Sequence, residues 1–153
     1  MKVIFLDVDG VLNYEGCTFS CGRYVGVDPA KIKLLKHIVD ETNAIIVLTS
    51  TWKMDWEPIL KDQQTPLGNY LDRELRKGGL KIRDKTWDYP PARGEGIKRW
   101  IKERPVESFV ILDDCVFDYE REGITDRFVN TRWKDGLKEE DAQKAITILN
   151  TKI

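Results

Sequence analysis

Three short apolar runs that end in polar residues are the feature that most restricts how this chain can fold. The runs, each with the polar residues that directly follow it, are 3–6 before Asp7, 44–48 before Thr49 and Ser50, and 109–112 before Asp113 and Asp114. Continuous apolar runs of this length are typical of strands buried on both faces of a parallel sheet. Ligands bind beyond the carboxyl ends of such strands, so we expect these polar residues to meet in one site.

Helix signals lie between the predicted strands. Asp28 is a suitable N-cap, Pro29 fits the first helical position, and Asn43 can end the helix that they begin. The other predicted elements are helices over 52 to about 61, around 97–101 before Pro105 and over 142–149, weaker strands at 80–83 and 128–129, and a loop ending at 90–91. Strands that alternate with helices predict one α/β domain over 1–153, with a three-layer, Rossmann-like, doubly wound parallel sheet.

The charge of the chain is unevenly distributed. The formal net charge of -1 excludes the overall basic character of many nucleic-acid-binding proteins. Residues 73–104 nevertheless hold 11 Lys/Arg against 5 Asp/Glu, with Trp87 and Tyr89 among them. This basic segment is either a solvated face or a surface for an anionic polymer, with Arg83 and Lys85 as expected contacts. Trp52 and Trp100 fall on predicted helix faces and are expected in the core.

The sequence gives little support for a membrane-spanning segment, a disulfide framework or a zinc site. No apolar run approaches the roughly 20 residues that span a bilayer, and the N-terminal run is too short for a signal peptide. We therefore expect a soluble, cytoplasmic protein with no membrane partner, and no obligate protein partner is evident. The three cysteines argue against a disulfide framework, and Cys17, Cys21 and His37 lack the paired spacing and fourth ligand of a zinc site.

The segment that follows the first strand resembles the first motif of the haloacid dehalogenase (HAD) superfamily. It reads Asp7-Val8-Asp9-Gly10-Val11-Leu12. The resemblance implies that Asp7 is a nucleophile forming an aspartyl-phosphate, and that Asp9 is a general acid and base whose carbonyl also binds metal. Relatives without the second carboxylate are generally not phosphatases. A phosphate dianion repels a carboxylate, so Mg²⁺ is the expected cofactor, with Asp7 and Asp9 among its ligands.

The later strand ends resemble the remaining HAD motifs. Thr49 is expected to bind the phosphate, although Ser50 could share or take that role, and Gly10 is a further substrate-binding candidate. Capping of the next helix is the structural alternative for both hydroxyls. Asp113 resembles a metal ligand, and Asp114 a ligand acting directly or through water.

The third HAD motif offers a cation to the phosphorylated intermediate. Arg93, followed by Gly94 at the expected start of a helix, fits this motif. Lys98 is the rival, because most relatives carry a lysine, but it lies one turn inside the predicted helix. The choice between these two cations stays open.

The intervals between motifs limit the size of a cap domain. The first interval, 13–27, is short, and the second, about 62–92, is mostly occupied by the third predicted strand and its approaches. Little or no cap is therefore expected, which would leave the site open enough for the end of a polymer.

A narrower resemblance is to the HAD domain associated with Swiss Army Knife RNA repair proteins. The matching segments are 7–13, 49–52, 93–100 and 136–142. This resemblance implies a phosphorylated substrate, with removal of a terminal phosphate from nucleic acid. Two alternatives remain, namely a small-molecule phosphatase or nucleotidase and a non-catalytic, receiver-like phosphate-binding module. Receivers, however, place paired acids early and a lone phosphorylated Asp in mid-chain, which is the reverse of the order here.

Overall fold

The main sheet has five strands, and each neighbouring pair is parallel. In a computed structural model, which describes residues 1–88 and 92–153, these strands are β1 (Lys2–Leu6), β4 (Ile45–Leu48), β5 (Ile82–Lys85), β6 (Ser108–Asp113) and β7 (Phe128–Asn130). Their order across the sheet is β5-β4-β1-β6-β7. The order reverses direction at β1, so the crevice beyond its carboxyl end is the expected ligand site. The Rossmann-like, doubly wound fold is confirmed.

Helices cover both faces of this sheet. The α-helices are α1 (Pro29–Thr42), α2 (Pro66–Lys77), α3 (Arg93–Lys102) and α4 (Glu139–Leu149). Along β1, Ile4 and Leu6 pack into the core beneath α1, α2 and α4, whereas Val3 and Phe5 pack into the core beneath α3. The alternation follows from the two-residue period of a strand. Both faces are thus buried, as the apolar runs indicated.

Helix α1 begins and ends where its sequence signals predicted. The Asp28 side chain accepts a hydrogen bond from Ala30 N at 2.8 Å, which satisfies a free amide of the first turn. Asn43 ends the helix in the left-handed conformation with a φ of 57°. Asparagine tolerates this conformation better than most residues, so it is a suitable terminator.

The segment between β4 and β5 differs from its prediction. The helix expected over 52–61 is wrong, because the structure has only short 3₁₀ turns at Thr51–Met54 and Lys61–Gln63. Pro58 lacks the amide hydrogen of a helix interior and disfavours helical geometry in the residue before it. The 12-residue helix α2 was missed, although Thr65 caps it and Pro66 starts it.

The third predicted strand, which is β5 in the structure, lies two residues later than predicted. The expected range was 80–83, but the strand is Ile82–Lys85. Leu80 instead completes the turn that ends α2, because its amide donates to Leu75 O at 2.9 Å and Gly79 adopts a φ of +77°. Leu80 is buried by this turn rather than by strand pairing.

The two intervals that could hold a cap contain little extra structure among the described residues. The first holds a small hairpin of β2 (Ser20–Cys21) and β3 (Tyr24–Val25). The second holds α2 and β5, which belong to the main layers, while the predicted loop end at Pro90 and Pro91 lies outside the described residues, as does Tyr89. No helix in the described ranges is long and apolar enough to cross a membrane.

Candidate active site

Three strand ends bring their polar residues together in the crevice beside β1. Asp7 follows β1, Thr49 follows β4, and Asp113 is the last residue of β6. The register pairs Leu6 with Leu48 on one side and with Leu112 on the other, so the three following residues are level. All three are buried, which separates their polar groups from bulk water.

Asp7 lies in a group of carboxylates that repel one another. Burial, followed by the charge of Asp113, raises its pKa well above the usual value, and Arg93 opposes this rise. Burial and Asp113 also raise the pKa of Asp114. The carboxyl groups of Asp113 and Asp114, with the Cys115 thiol beside them, offer ligand atoms within 4.8 Å of one another. Hard oxygen donors crowded in this way match the coordination preference of Mg²⁺.

Arg93 is the cation placed between the acids. Its Nη1 lies 2.6 Å from Asp113 Oδ2 and 3.3 Å from Asp7 Oδ1, with the side chain 5% exposed. Arg93 starts α3, so its position depends on the helix beginning at this residue. Lys98 is exposed further along the same helix, where it lines a separate cavity with Phe109 and Arg127. The structure therefore brings Arg93, rather than Lys98, to Asp7.

Asp113 is held by a network of hydrogen bonds. Besides Arg93, its Oδ2 accepts a bond from Tyr119 Oη at 2.9 Å, and its Oδ1 accepts one from Cys115 N at 3.0 Å. Tyr119 was not singled out from the sequence, since a lone tyrosine in a loop carries no motif. Its contact arises only because the chain after β6 folds back beneath the strand end.

The two hydroxyls after β4 have different surroundings. Thr49 Oγ1 is buried and has no hydrogen-bond partner within the described part of the chain. Ser50 Oγ accepts a bond from Trp52 N at 3.2 Å and so caps the 3₁₀ turn that follows. Capping thus accounts for Ser50, whereas the Thr49 hydroxyl is available to a ligand. A buried polar atom without a partner is costly, which favours occupation by a bound group.

Asp9 is held by two donors that the sequence did not identify. Asn13 Nδ2 donates to Asp9 Oδ1 at 2.9 Å, and Trp52 Nε1 donates to Asp9 Oδ2 at 3.1 Å. Trp52 lies in the core, as predicted, but its indole nitrogen reaches the site. The Asn13 side chain also accepts a bond from Gly10 N at 2.9 Å, which closes the loop after β1. Asn13 and Trp52 end two of the segments that match the family, 7–13 and 49–52, and this was the signal that the sequence offered.

Gly10 lets this loop approach the acids. It adopts a φ of +80°, and a Cβ atom built there would lie 2.2 Å from Asp114 Oδ2. Only glycine fits this combination of conformation and close contact. Thr131 Oγ1 donates to Gly10 O at 2.6 Å and fixes the loop from the β7 side. The structure thus shows a close approach to the acids at Gly10, whose predicted substrate contact stays a prediction.

Lys85 does not have the exposure that its place in the basic segment suggested. Only 4% of it is accessible, and its Nζ donates to the carbonyl oxygens of Lys53 at 2.7 Å and Trp56 at 2.6 Å. Burial lowers its pKa. Lys85 therefore supports the chain around β5, and its ammonium group is not free for the expected contact with a polymer phosphate. Arg83 is exposed and remains a candidate.

The parallel sheet and the residues gathered beyond β1 define a hydrolase domain of the haloacid dehalogenase type. The family model that matches, over residues 3–142, is the HAD domain in Swiss Army Knife RNA repair proteins, and the chain belongs to this family. A comparison with curated proteins finds no match for this chain. The predicted resemblance of the chain to this family is confirmed.

Proposed function

We propose that this domain is a Mg²⁺-dependent phosphomonoesterase that forms an aspartyl-phosphate on Asp7 and removes terminal phosphates from nucleic acid. The observation that carries the proposal is the arrangement around Asp7. A buried carboxylate faces further acids and a cation, and the Thr49 hydroxyl after the neighbouring strand has no hydrogen-bond partner among the described residues. The family supports a hydrolase of this type, and its association with RNA repair favours a nucleic-acid end.

The residues present fit a magnesium ion. The Asp7 and Asp113 carboxylates and the Asp9 carbonyl would bind it, with Asp114 as a further ligand directly or through water. The fit rests on the crowding of buried carboxylates and on the raised pKa of Asp7, since a cation relieves the same repulsion. When bound, Mg²⁺ would screen the charge of the phosphate from the attacking carboxylate.

In the first step, a carboxylate oxygen of Asp7 attacks phosphorus and the bond to the leaving oxygen breaks. Protonated Asp9 donates its proton to that oxygen, while Asn13 and Trp52 keep the Asp9 carboxyl group in place. Thr49 donates a hydrogen bond to a phosphate oxygen. Arg93, already 3.3 Å from Asp7, balances the charge on the phosphorylated residue.

In the second step, water attacks the phosphorus of the aspartyl-phosphate. The Asp9 carboxylate accepts a proton from this water, and the bond between phosphorus and the Asp7 oxygen breaks. Inorganic phosphate leaves, Asp7 is again a carboxylate and Asp9 is again protonated. The two acids therefore have separate tasks, one as nucleophile and the other as proton carrier.

Turnover of p-nitrophenyl phosphate with Mg²⁺ tests the catalytic part of the proposal. Asp7→Asn should lower kcat at least about 10³-fold, because no other group can replace the nucleophile. The free energy of unfolding should stay the same or rise slightly, since one charge leaves an acidic cluster. Asp126→Asn, an exposed acid, is the control and should retain full activity. A tenth of wild-type activity in Asp7→Asn would contradict the nucleophile.

Phosphorylated oligonucleotides test the substrate. An oligonucleotide with a 5′- or 3′-terminal phosphate should have a higher kcat/KM than the mononucleotide that bears the same phosphate. Equal values at low salt would instead favour a small-molecule phosphatase. Absence of turnover on every ester, with phosphate still bound, would favour a binding module.

A further inference from the structure

Trp87 is exposed but fixed in position. The residue follows β5 and is 69% exposed, which is unusual for the largest apolar side chain. Arg99 Nη1 donates to Trp87 O at 3.1 Å and anchors its backbone. The ammonium group of Lys85 lies 4.7 Å from the centroid of the indole ring. The indole ring thus contacts a buried cation while most of its surface stays exposed, and such a ring can serve as a platform for a planar ligand.

Trp87 and Met54 line a cleft of about 180 Å³. Met54 is 71% exposed, and Lys53, Lys85 and Asp88 complete the lining. Most charged groups of the lining already have partners within the protein, although Asp88 Oδ2 has none among the described residues. Lys53 Nζ lies 2.8 Å from Asp88 Oδ1, and both side chains are nearly inaccessible. The exposed part of the lining is therefore mainly apolar, which suits a flat aromatic ring.

The cleft lies at the carboxyl ends of the strands, as does the site of Asp7. Met54 belongs to the turn after β4, and Trp87 follows β5, so both are beyond carboxyl ends of strands. β5 is the second strand from β1. Neighbouring strands are about 4.8 Å apart, which places the end of β5 about 10 Å sideways from Asp7. A nucleotide whose phosphate is at Asp7 can span this separation and place its base in the cleft. The neighbouring nucleotide of the same strand can do so as well.

The charge beside the cleft matches a polyanion. The Arg99 side chain is 57% exposed, although its Nη2 also pairs with Glu95 at 3.0 Å. Arg83, in β5, is exposed as well. A backbone phosphate next to a base in the cleft would therefore lie near the Arg99 guanidinium group. A neutral aromatic ligand would gain nothing from this charge.

We propose that the cleft between Trp87 and Met54 is a subsite that stacks the nucleobase at, or next to, the phosphorylated end of single-stranded nucleic acid. This inference rests on the proposed function and adds the surface that recognises the polymer. Stacking on an indole face tolerates every base, since all bases are planar π systems. The subsite would raise affinity for a polymer end without selecting its sequence.

Trp87→Ala tests the subsite in two measurements. Its kcat/KM for a phosphorylated oligonucleotide should fall roughly tenfold or more, whereas p-nitrophenyl phosphate should be hydrolysed at the wild-type rate. Trp87→Phe should recover most of the loss, because phenyl rings also stack. Affinity for the phosphorylated oligonucleotide is measured separately with Asp7→Asn protein, in which turnover cannot obscure binding. Adding Trp87→Ala to this variant should weaken that affinity by a similar factor.

Oligonucleotides with one abasic nucleotide identify stacking as the cause. In wild type, removing the base at one position near the phosphate should lower kcat/KM by the same factor as Trp87→Ala. In Trp87→Ala the same abasic substrate should show no additional loss. Independent, multiplicative effects of the two changes at every position would overturn the subsite.

Trp133→Ala is the matched control, because Trp133 is 41% exposed and follows β7 at the other edge of the sheet. It should leave oligonucleotide turnover unchanged. An oligonucleotide defect in Trp133→Ala together with none in Trp87→Ala would place the polymer at the β7 edge and overturn the proposal. Wild-type turnover of p-nitrophenyl phosphate in both variants would show that the catalytic proposal survives such a failure.

Discussion

At the scale of single residues, the Asp9 carboxyl group is oriented by donors from two separate parts of the chain. Asn13 belongs to the loop of Asp9 itself, whereas Trp52 belongs to the turn after β4. Each donor holds one carboxyl oxygen, so the group cannot rotate freely. A proton carrier that is held in this way loses less entropy on reaching the leaving oxygen.

We expect Trp52→Phe to weaken proton donation by Asp9 while leaving phosphate binding largely intact. Substrates with poor leaving groups need this proton most. The kcat of Trp52→Phe should therefore fall about 10-fold more for alkyl phosphates than for p-nitrophenyl phosphate. The measurement is kcat for a series of phosphate esters of rising leaving-group pKa. Loss of the same factor for every ester would indicate a structural defect instead.

Trp100→Phe is the control for this substitution. Trp100 Nε1 donates to Asp84 Oδ2 at 2.9 Å, and Trp100 is 7% exposed against 5% for Trp52. The two variants thus lose the same kind of partly buried hydrogen bond to a carboxylate, but only one of these carboxylates is in the site. Trp100→Phe should show the leaving-group dependence of wild type even if its stability falls.

Asp113→Asn should act mainly through the metal. The substitution keeps the size of the fully buried side chain but removes one negative charge. The Mg²⁺ concentration for half-maximal activity should rise, and excess Mg²⁺ should restore part of kcat. Asp7→Asn should not respond to Mg²⁺ in this way. The same Mg²⁺ midpoint in Asp113→Asn and wild type would show that Asp113 is not a ligand.

At the scale of structural elements, the site depends on how closely the loop after β1 approaches the loop after β6. Gly10 and Asp114 are the point of contact. Gly16, in the same interval as the hairpin, has the same φ of +80°, but a Cβ atom built there has no described residue within 4 Å. The two glycines therefore share conformational strain on substitution but differ in crowding.

Gly10→Ala should abolish most activity, because the added methyl group displaces Asp114 or the loop that carries Asp9. Gly16→Ala should cost a comparable backbone strain, about 1 kcal/mol of stability, and leave kcat near the wild-type value. Thermal unfolding and p-nitrophenyl phosphate turnover of both variants provide the test. Equal losses of activity would mean that backbone strain alone, rather than contact with Asp114, explains why glycine is needed at position 10.

At the scale of the whole molecule, the basic segment 73–104 passes beside the site without being uniformly exposed. Lys85 and Arg93 are buried within it, whereas Arg83 and Arg99 are exposed. Only the exposed cations can exchange counterions with a polymer. The net charge of the segment therefore overstates its capacity for nucleic acid.

Arg83→Glu should lower kcat/KM for a phosphorylated oligonucleotide and reduce the salt dependence of that value by about one unit of slope or more. The aryl phosphate should be hardly affected, since the catalytic acids lie elsewhere. Lys144→Glu changes net charge equally from an exposed position on α4 and serves as control. An unchanged salt slope in Arg83→Glu would mean that the polymer does not contact β5.

Much of the fold and the order of the motifs could be predicted, because local patterns encode them. A short apolar run predicts a buried strand from its own residues, whatever its position in the sheet. Asp28 and Pro29 begin a helix through contacts within a single turn. Helix α2 has comparable signals in Thr65 and Pro66, but its many charged residues obscure the apolar stripe formed by Leu67, Tyr70 and Leu71. This helix was therefore predictable from local signals, although the sequence prediction does not contain it.

The sequence by itself determined the parallel sheet, the residues at its carboxyl edge and the family, because each depends on neighbours a few positions apart. Only the tertiary structure decided that Arg93 rather than Lys98 meets Asp113, that Trp52 holds Asp9, and that Lys85 is buried. These contacts join residues 20 to 43 positions apart. Such pairs depend on the packing of whole elements, and no local pattern of charge or polarity specifies them.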